Sequence, residues 1–242
     1  MGLKRKSSAQ GIDPGRRRFI RIATLAAPAT AVTTVTGGAA LLDPARTASS
    51  AGETAYRPQY FNADEWPALN ALVDRLIPAD AAGPGALEAG VPEFIDRQMD
   101  LPYGHGELWY MNGPFHADAA PQFGYQLSLV PRELYRHALR GLDDAMRRDH
   151  GKHFSDLADS DKDAVLHQME GGKLAMGEVP AATFFAQLLA NTYEGYFCDP
   201  VHGGNHGMHA WQMIGFPGAR ADYMDWVRQY GARYPLPPIS RG

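Results

Sequence analysis

The side chains most able to do chemistry are gathered in residues 191–218, which read NTYEGYFCDPVHGGNHGMHAWQMIGFPG. Three of the nine histidines, His202, His206 and His209, stand four and three residues apart. Such spacing can bring imidazoles to one helical face as ligands for zinc or iron, with Asp199 as the carboxylate close by. Gly203-Gly204 breaks any helix after His202, so the spacing predicts a shared face only for His206 and His209, and no Glu completes an HExxH frame. The plainer reading is a loop whose histidines serve polar packing. Cys198, the only cysteine, precedes His202 by four residues and suggests a nucleophile–base pair, but no third group is in evidence to orient the base. A buried, inert thiol or a disulfide to another chain are the other readings of an unpaired cysteine.

Large apolar side chains crowd the same stretch: Tyr193, Tyr196, Phe197, Trp211, Met213, Ile214 and Phe216. Asp-Pro, Gly-Gly and Pro-Gly steps punctuate it. That combination predicts a structured, aromatic-lined loop against which something docks. A second irregular stretch, residues 101–130, is rich in Gly, Pro and aromatics, and loops of that length inside a domain commonly serve binding. Trp109, Tyr110, Trp211 and Cys198 are the candidate partner contacts, since interface cores are enriched in aromatic residues.

The elements that must position these groups read as helices throughout. Asn62 with Glu65 forms a capping box, and Phe61 against Trp66 a hydrophobic staple. Leu69, Leu72, Val73 and Leu76 then recur at helical spacing until Pro78. A second helix begins near Pro92 with Phe94, Ile95 and Met99 on one side. Pro131 opens a third with the stripe Leu134, Ala138, Leu139, Leu142 and Met146. Another starts at Ser160, with Asp163 as its capping partner, and stops at Gly171-Gly172. Residues 180–197 form a helix carrying Phe184, Phe185, Leu188 and Leu189, and residues 206–214 and 222–230 two short ones. No run alternates with period two. The expected fold is all-α: a single helical domain over residues 51–242 with long, aromatic-rich loops.

The 242-residue chain carries a formal net charge of −4, with 45% hydrophobic and 21% charged residues, an ordinary globular composition. The charge is uneven. The first fifty residues hold eight Lys/Arg against two Asp, which leaves fifteen basic and twenty-five acidic residues in the rest. An acidic body argues against nucleic acid as a partner. The basic end contains Arg16 and Arg17 followed by Arg18 and Phe19, then an Ala/Thr-rich apolar run to Leu42. This is the pattern of a twin-arginine signal, so residues 1–50 are read as signal and linker and the protein as exported to the periplasm. No Gly-rich nucleotide loop, Walker loop, CxxCH haem site or cysteine set for an iron–sulfur cluster is found.

The motifs FNADEWPALNALVDRLIPADAAGPGALEAGVPEFID (61–96), LWYMNGPF (108–115), FGYQLSLVPRELYR (123–136) and residues 191–227 through GFPGARADYMDWV occur in one order over nearly the whole chain beyond the leader. Together with the leader they resemble the gluconate 2-dehydrogenase subunit 3 family, the small (gamma) subunit of membrane-bound, FAD-dependent gluconate or sugar dehydrogenases. The resemblance implies a helical accessory subunit without a cofactor of its own. Its expected partners are an FAD-containing dehydrogenase of the glucose–methanol–choline class and a multihaem cytochrome c, with sugar oxidation in the flavoprotein. It also implies that the twin-arginine translocase carries the folded, flavin-loaded partner across on this chain's signal. The family positions of His202, His206 and His209 are commonly not histidine, which favours a structural loop there. The rival reading is a free-standing periplasmic metal enzyme built on the three histidines and Asp199.

Overall fold

The computed structural model describes residues 56–242 apart from Ala117. The twin-arginine segment, with Arg16, Arg17 and Phe19, and the boundary at residue 50 lie outside the described residues. Among these residues the backbone forms six α-helices and no strand: α1 (Glu65–Leu76), α2 (Val91–Asp100), α3 (Pro131–His150), α4 (Asp159–Glu170), α5 (Ala181–Phe197) and α6 (His209–Ile214). The described residues are all-α. None of the helices is long and apolar enough to cross a membrane.

α5 is the axis of the bundle and touches each of the other five helices. Its apolar side chains Phe184, Phe185 and Leu188 are buried, as are Leu69, Leu72 and Val73 of α1 and the whole predicted stripe of α3. Burial of this kind drives helix assembly, at roughly 1.5 to 3 kcal/mol per large apolar side chain. Gly195 lets α5 approach α2 closely, because a Cβ there would lie 2.8 Å from the Phe94 ring. The described residues of 101–130 hold a 3₁₀ turn at Pro121–Phe123 and are otherwise irregular.

Three local expectations change. The capping box of α1 forms, with the Glu65 amide donating to Asn62 Oδ1 (2.9 Å) and the Asn62 amide to Glu65 Oε2 (3.1 Å). Phe61, however, turns inward against Tyr135 at 5.7 Å between ring centroids, and the Trp66 ring meets Tyr56 at 5.9 Å. α4 begins one residue before Ser160, and Asp163 does not cap it. Arg75 of α1 claims that carboxylate with two 2.8 Å hydrogen bonds, and it also reaches Asp159 at 3.1 Å. A fixed bidentate guanidinium outcompetes a local cap. Residues 222–230 form turns rather than a helix. So short a segment cannot repay helix nucleation by itself, and the side chains of Asp225 and Tyr223 are drawn to Arg220 instead.

One carboxylate fastens the start of the described chain. Asp96 lies fully buried on α2. It accepts hydrogen bonds from the Tyr56 hydroxyl (2.7 Å) and from the backbone amides of Gln59 (2.7 Å), Tyr60 (3.0 Å) and Phe61 (3.0 Å). Burial, reinforced by the hydrogen bond to Asp96, raises the Tyr56 phenol well above its usual range. The segment then lies across α3, where Arg132 and Arg136 flank the Tyr60 ring at 4.7 and 4.4 Å from its centroid. Asp96→Ala would strand these donors at a buried site, a loss on the order of 3 kcal/mol. For a domain of this size that lowers the melting temperature by roughly 6 to 12 °C. Thermal unfolding checks the magnitude, and amide exchange at Gln59, Tyr60 and Phe61 must speed up; unchanged exchange there would refute the clamp.

Candidate functional site

The stretch that carries the candidate chemistry begins where α5 runs out. Helix termini leave carbonyls without partners, and here the following loop supplies them. The Trp211 indole N–H donates to Phe197 O at 2.7 Å, and the Asn205 side-chain amide donates to Cys198 O at 2.9 Å. Asn205 is fully buried in the left-handed region at φ 46°, a conformation Asn tolerates better than most residues. Its Oδ1 accepts from the Ala210 amide at 3.0 Å, so one side chain ties the end of α5 to the start of α6. Gly204 fits beneath it because a Cβ there would lie 2.9 Å from the Cys198 sulfur and strike the Gly195 carbonyl.

The histidines do not converge. Gly207 and Met208 both adopt left-handed backbone at φ 64° and 56°, which splits the expected helix into a 3₁₀ turn (His206–Met208) and α6. His206 and His209 therefore lose the common face that their spacing predicts. The His206 ring lies over Gly90 at the start of α2, with Nε2 3.1 Å from Gly203 O and 3.7 Å from Glu93 Oε2. The His209 ring covers Gly207, and His202 lines a different surface. Among the described residues no group of three or more His, Cys, Asp and Glu side chains is placed to hold a metal ion.

Asp199, the fourth candidate ligand, is occupied by the chain's own C-terminus. Its carboxylate accepts from Ser240 Oγ (2.6 Å), the Arg241 amide (2.9 Å) and the Val201 amide (3.2 Å). Desolvation pushes this carboxyl up, but the hydrogen bonds outweigh it and leave it below the usual carboxylate range. Nothing in the sequence signalled the contact, because Ser240 and Asp199 are 41 residues apart.

Cys198 and His202 do share a surface, an open depression of about 450 Å³ that is also lined by Phe94, Gln98, Glu194 and Phe197. The thiol is half-buried and donates to Gly195 O at 3.3 Å. Burial pushes it up to about 11, against a smaller lowering by the Gly204 amide. A thiol so protonated is a poor nucleophile. Beside the depression runs a polar network that sequence reasoning missed. Buried Asn191 of α5 receives the Tyr135 hydroxyl at 3.0 Å and the Gln187 amide at 3.1 Å, and it donates to Tyr103 Oη at 2.8 Å and Glu194 Oε2 at 2.8 Å. Burial raises the Tyr103 phenol to about 12, so both phenols stay protonated donors. Through Tyr103 the network anchors the long loop.

The aromatic candidates separate by exposure. Trp211 is buried, with its ring against Phe216 at 5.1 Å. Trp109 is half-buried between Tyr103 (5.9 Å) and Tyr125 (5.0 Å). Tyr110, next in sequence, is 85% exposed, with Leu108 and Phe123 also in solvent. The loop thus holds itself down by one ring and offers the next outward.

Residues 63–218 match the family model described as Gluconate 2-dehydrogenase subunit 3. No curated protein and no solved structure matches the chain.

Two outcomes follow from the site's titrating groups. At pH 8 the Cys198 thiolate fraction is roughly one in a thousand, so iodoacetamide should label it at least a hundredfold more slowly than an exposed thiol. The rate should climb about tenfold per pH unit up to pH 10; a plateau by pH 8.5 would contradict a buried thiol. Asp199, whose folded-state affinity for protons is depressed, stabilises the docked C-terminus above the ordinary carboxylate range and loses that contribution as pH falls through its lowered value. The protection of the Arg241 amide, the slowing of its exchange relative to an unstructured peptide at the same pH, should therefore fall on acidification below about pH 4, and in Asp199→Ala it should be low at every pH.

Proposed function

Because the chain belongs to the gluconate 2-dehydrogenase subunit 3 family, we propose that it serves as the accessory (gamma) subunit of a periplasmic, FAD-dependent gluconate or sugar dehydrogenase complex. In this reading the substrate site and the FAD reside in a glucose–methanol–choline type partner, and a cytochrome c subunit takes the electrons onward. This chain is needed for maturation and export of the flavoprotein. The single observation that carries the reading is the family match across 156 residues of helical body.

Two features of the chain support it. The residues most capable of chemistry are engaged as fasteners: Asp199 by Ser240, Asn205 by the end of α5, and His206 by Gly203. The apolar side chains that remain in solvent, among them Tyr110 and Phe123, sit on irregular loops of the kind that serve contact surfaces. Cys198 lines an open depression, and a disulfide there would join it to a cysteine of the partner, with a periplasmic thiol oxidant taking up the two electrons and both thiol protons lost.

The export step tests the proposal. Arg16 and Arg17 of this chain form the twin-arginine pair, and one signal is expected to serve both subunits. Changing both to Lys should leave this chain and the flavoprotein together in the cytoplasm, with dehydrogenase activity absent from the periplasmic fraction. Normal export of the flavoprotein beside the doubly substituted chain would show that it does not depend on this subunit.

A further inference from the structure

Beyond Gly218, where the family match ends, the chain makes a loop that is closed at its base and built around its own interior. The Ala219 amide donates to Ile239 O at 2.7 Å and the Ile239 amide to Pro217 O at 3.1 Å, so the loop's ends lie side by side. Gly218, at φ 75°, is the residue that permits this approach, since a Cβ there would meet the Ile239 backbone. Ser240 and Arg241 then lock the exit onto Asp199. Inside, the Arg220 guanidinium sits 5.0 Å from the Tyr234 ring centroid and 5.5 Å from that of Tyr223 and binds both oxygens of Asp225 at 2.6 and 2.8 Å. Trp226 stacks edge-on to Tyr234 at 5.4 Å. A compact surface loop packed by its own side chains commonly carries function.

What such an ordered loop leaves outside is therefore informative. Met224 is 78% exposed, Tyr230 91%, Leu236 61% and Val227 54%. Of the fifteen exposed large apolar side chains among the described residues, six fall within residues 223–239. The charge is also distinct. Residues 219–242 carry four Arg against two Asp, while residues 56–218 carry eleven basic and twenty-two acidic groups. Arg228 and Arg233 stand in solvent beside Val227 and Tyr230.

We infer that residues 219–239 form a docking loop for the dehydrogenase subunit, with Met224, Val227, Tyr230 and Leu236 as its apolar contact and Arg228 and Arg233 directed to an acidic patch on that subunit. The inference rests on the accessory-subunit reading and adds the surface that reading lacks. Tyr, Met and Arg are the residues enriched at the centres of interfaces. Because the backbone is already fastened at both ends, docking costs little ordering entropy. Charge selects the occupant: an anionic lipid surface would repel the strongly acidic body behind the loop. A protein partner with a local acidic patch meets the exposed Arg228 and Arg233, while Asp225 is already paired to Arg220. Complementary charge of this sort governs register and salt dependence more than raw affinity.

The test uses the complex from cells co-expressing both chains, with the tag on the dehydrogenase subunit and its dissociation measured by mass photometry over a dilution series. Met224→Ala with Tyr230→Ala should weaken the complex at least tenfold, while the melting temperature of the isolated variant stays that of the wild type, since neither side chain fills a core. Arg228→Glu with Arg233→Glu should also weaken it and flatten its dependence on NaCl between 50 and 500 mM. Dissociation constants within twofold of wild type for both variants would overturn the docking loop while leaving the subunit reading intact. Failure of the wild-type chains to associate at all would overturn the subunit reading, and the loop with it. A third outcome also counts against the inference. If the wild-type chain binds phosphatidylcholine–phosphatidylglycerol vesicles, and these substitutions abolish that binding while the complex is untouched, the loop belongs to a membrane surface instead.

Discussion

The structure depends on α5, which touches each of the other five helices of the described residues. A helix in that position must be apolar nearly all round, yet α5 carries Asn191 and Thr192 in its buried face. Each is satisfied. Thr192 bonds back to Leu188 O at 2.7 Å, and Asn191 joins Tyr103, Tyr135, Gln187 and Glu194. A buried amide without those partners would cost several kcal/mol, so the network fixes how α3 and the loop containing Tyr103 must sit against α5. Gly195 adds a steric condition, because only a residue without a side chain lets α2 come so near.

The end of α5 extends the same logic to the region of candidate chemistry. Its carbonyls at Phe197 and Cys198 are claimed by Trp211 and Asn205, which folds the Gly-rich stretch back over the helix terminus and spreads the histidines onto different neighbours. Of the residues that could have formed a metal site, Asp199 and His206 act as loop fasteners. For an accessory subunit that is a sensible division of labour: rigidity where the chain must hold a shape, and exposed apolar surface on the loops.

Two aspartates close the body at its opposite ends. Asp96 binds the first described segment, residues 56–61, and Asp199 binds Ser240 and Arg241. Both use a carboxylate to collect backbone amides, a charge-assisted arrangement stronger than neutral pairing. The consequence is that the first described segment is attached to α2 and the last to the turn that follows α5.

Local patterns in the sequence were enough to determine α1 to α5, but not the turns at 222–230 or the split between the 3₁₀ turn and α6. The α3 stripe from Leu134 to Met146, the Asn62–Glu65 box and the Gly and Pro stops all follow from interactions within a few residues, which period and capping chemistry report directly. Asp96 was legible in principle. It stands with Pro92, Ile95 and Met99 on the i, i+3, i+4, i+7 stripe of α2, where a charge demands buried partners, but those partners lie more than thirty residues away. The fate of His206, His209 and Asp199 was decided only by tertiary structure. Left-handed backbone at Gly207 and Met208 re-aims the first two, and the returning C-terminus takes the third. Arg75 likewise removed Asp163 from its expected cap across 88 residues. Spacing along a chain fixes which side chains can share a local face; which distant group reaches them first is settled by how the helices assemble around α5.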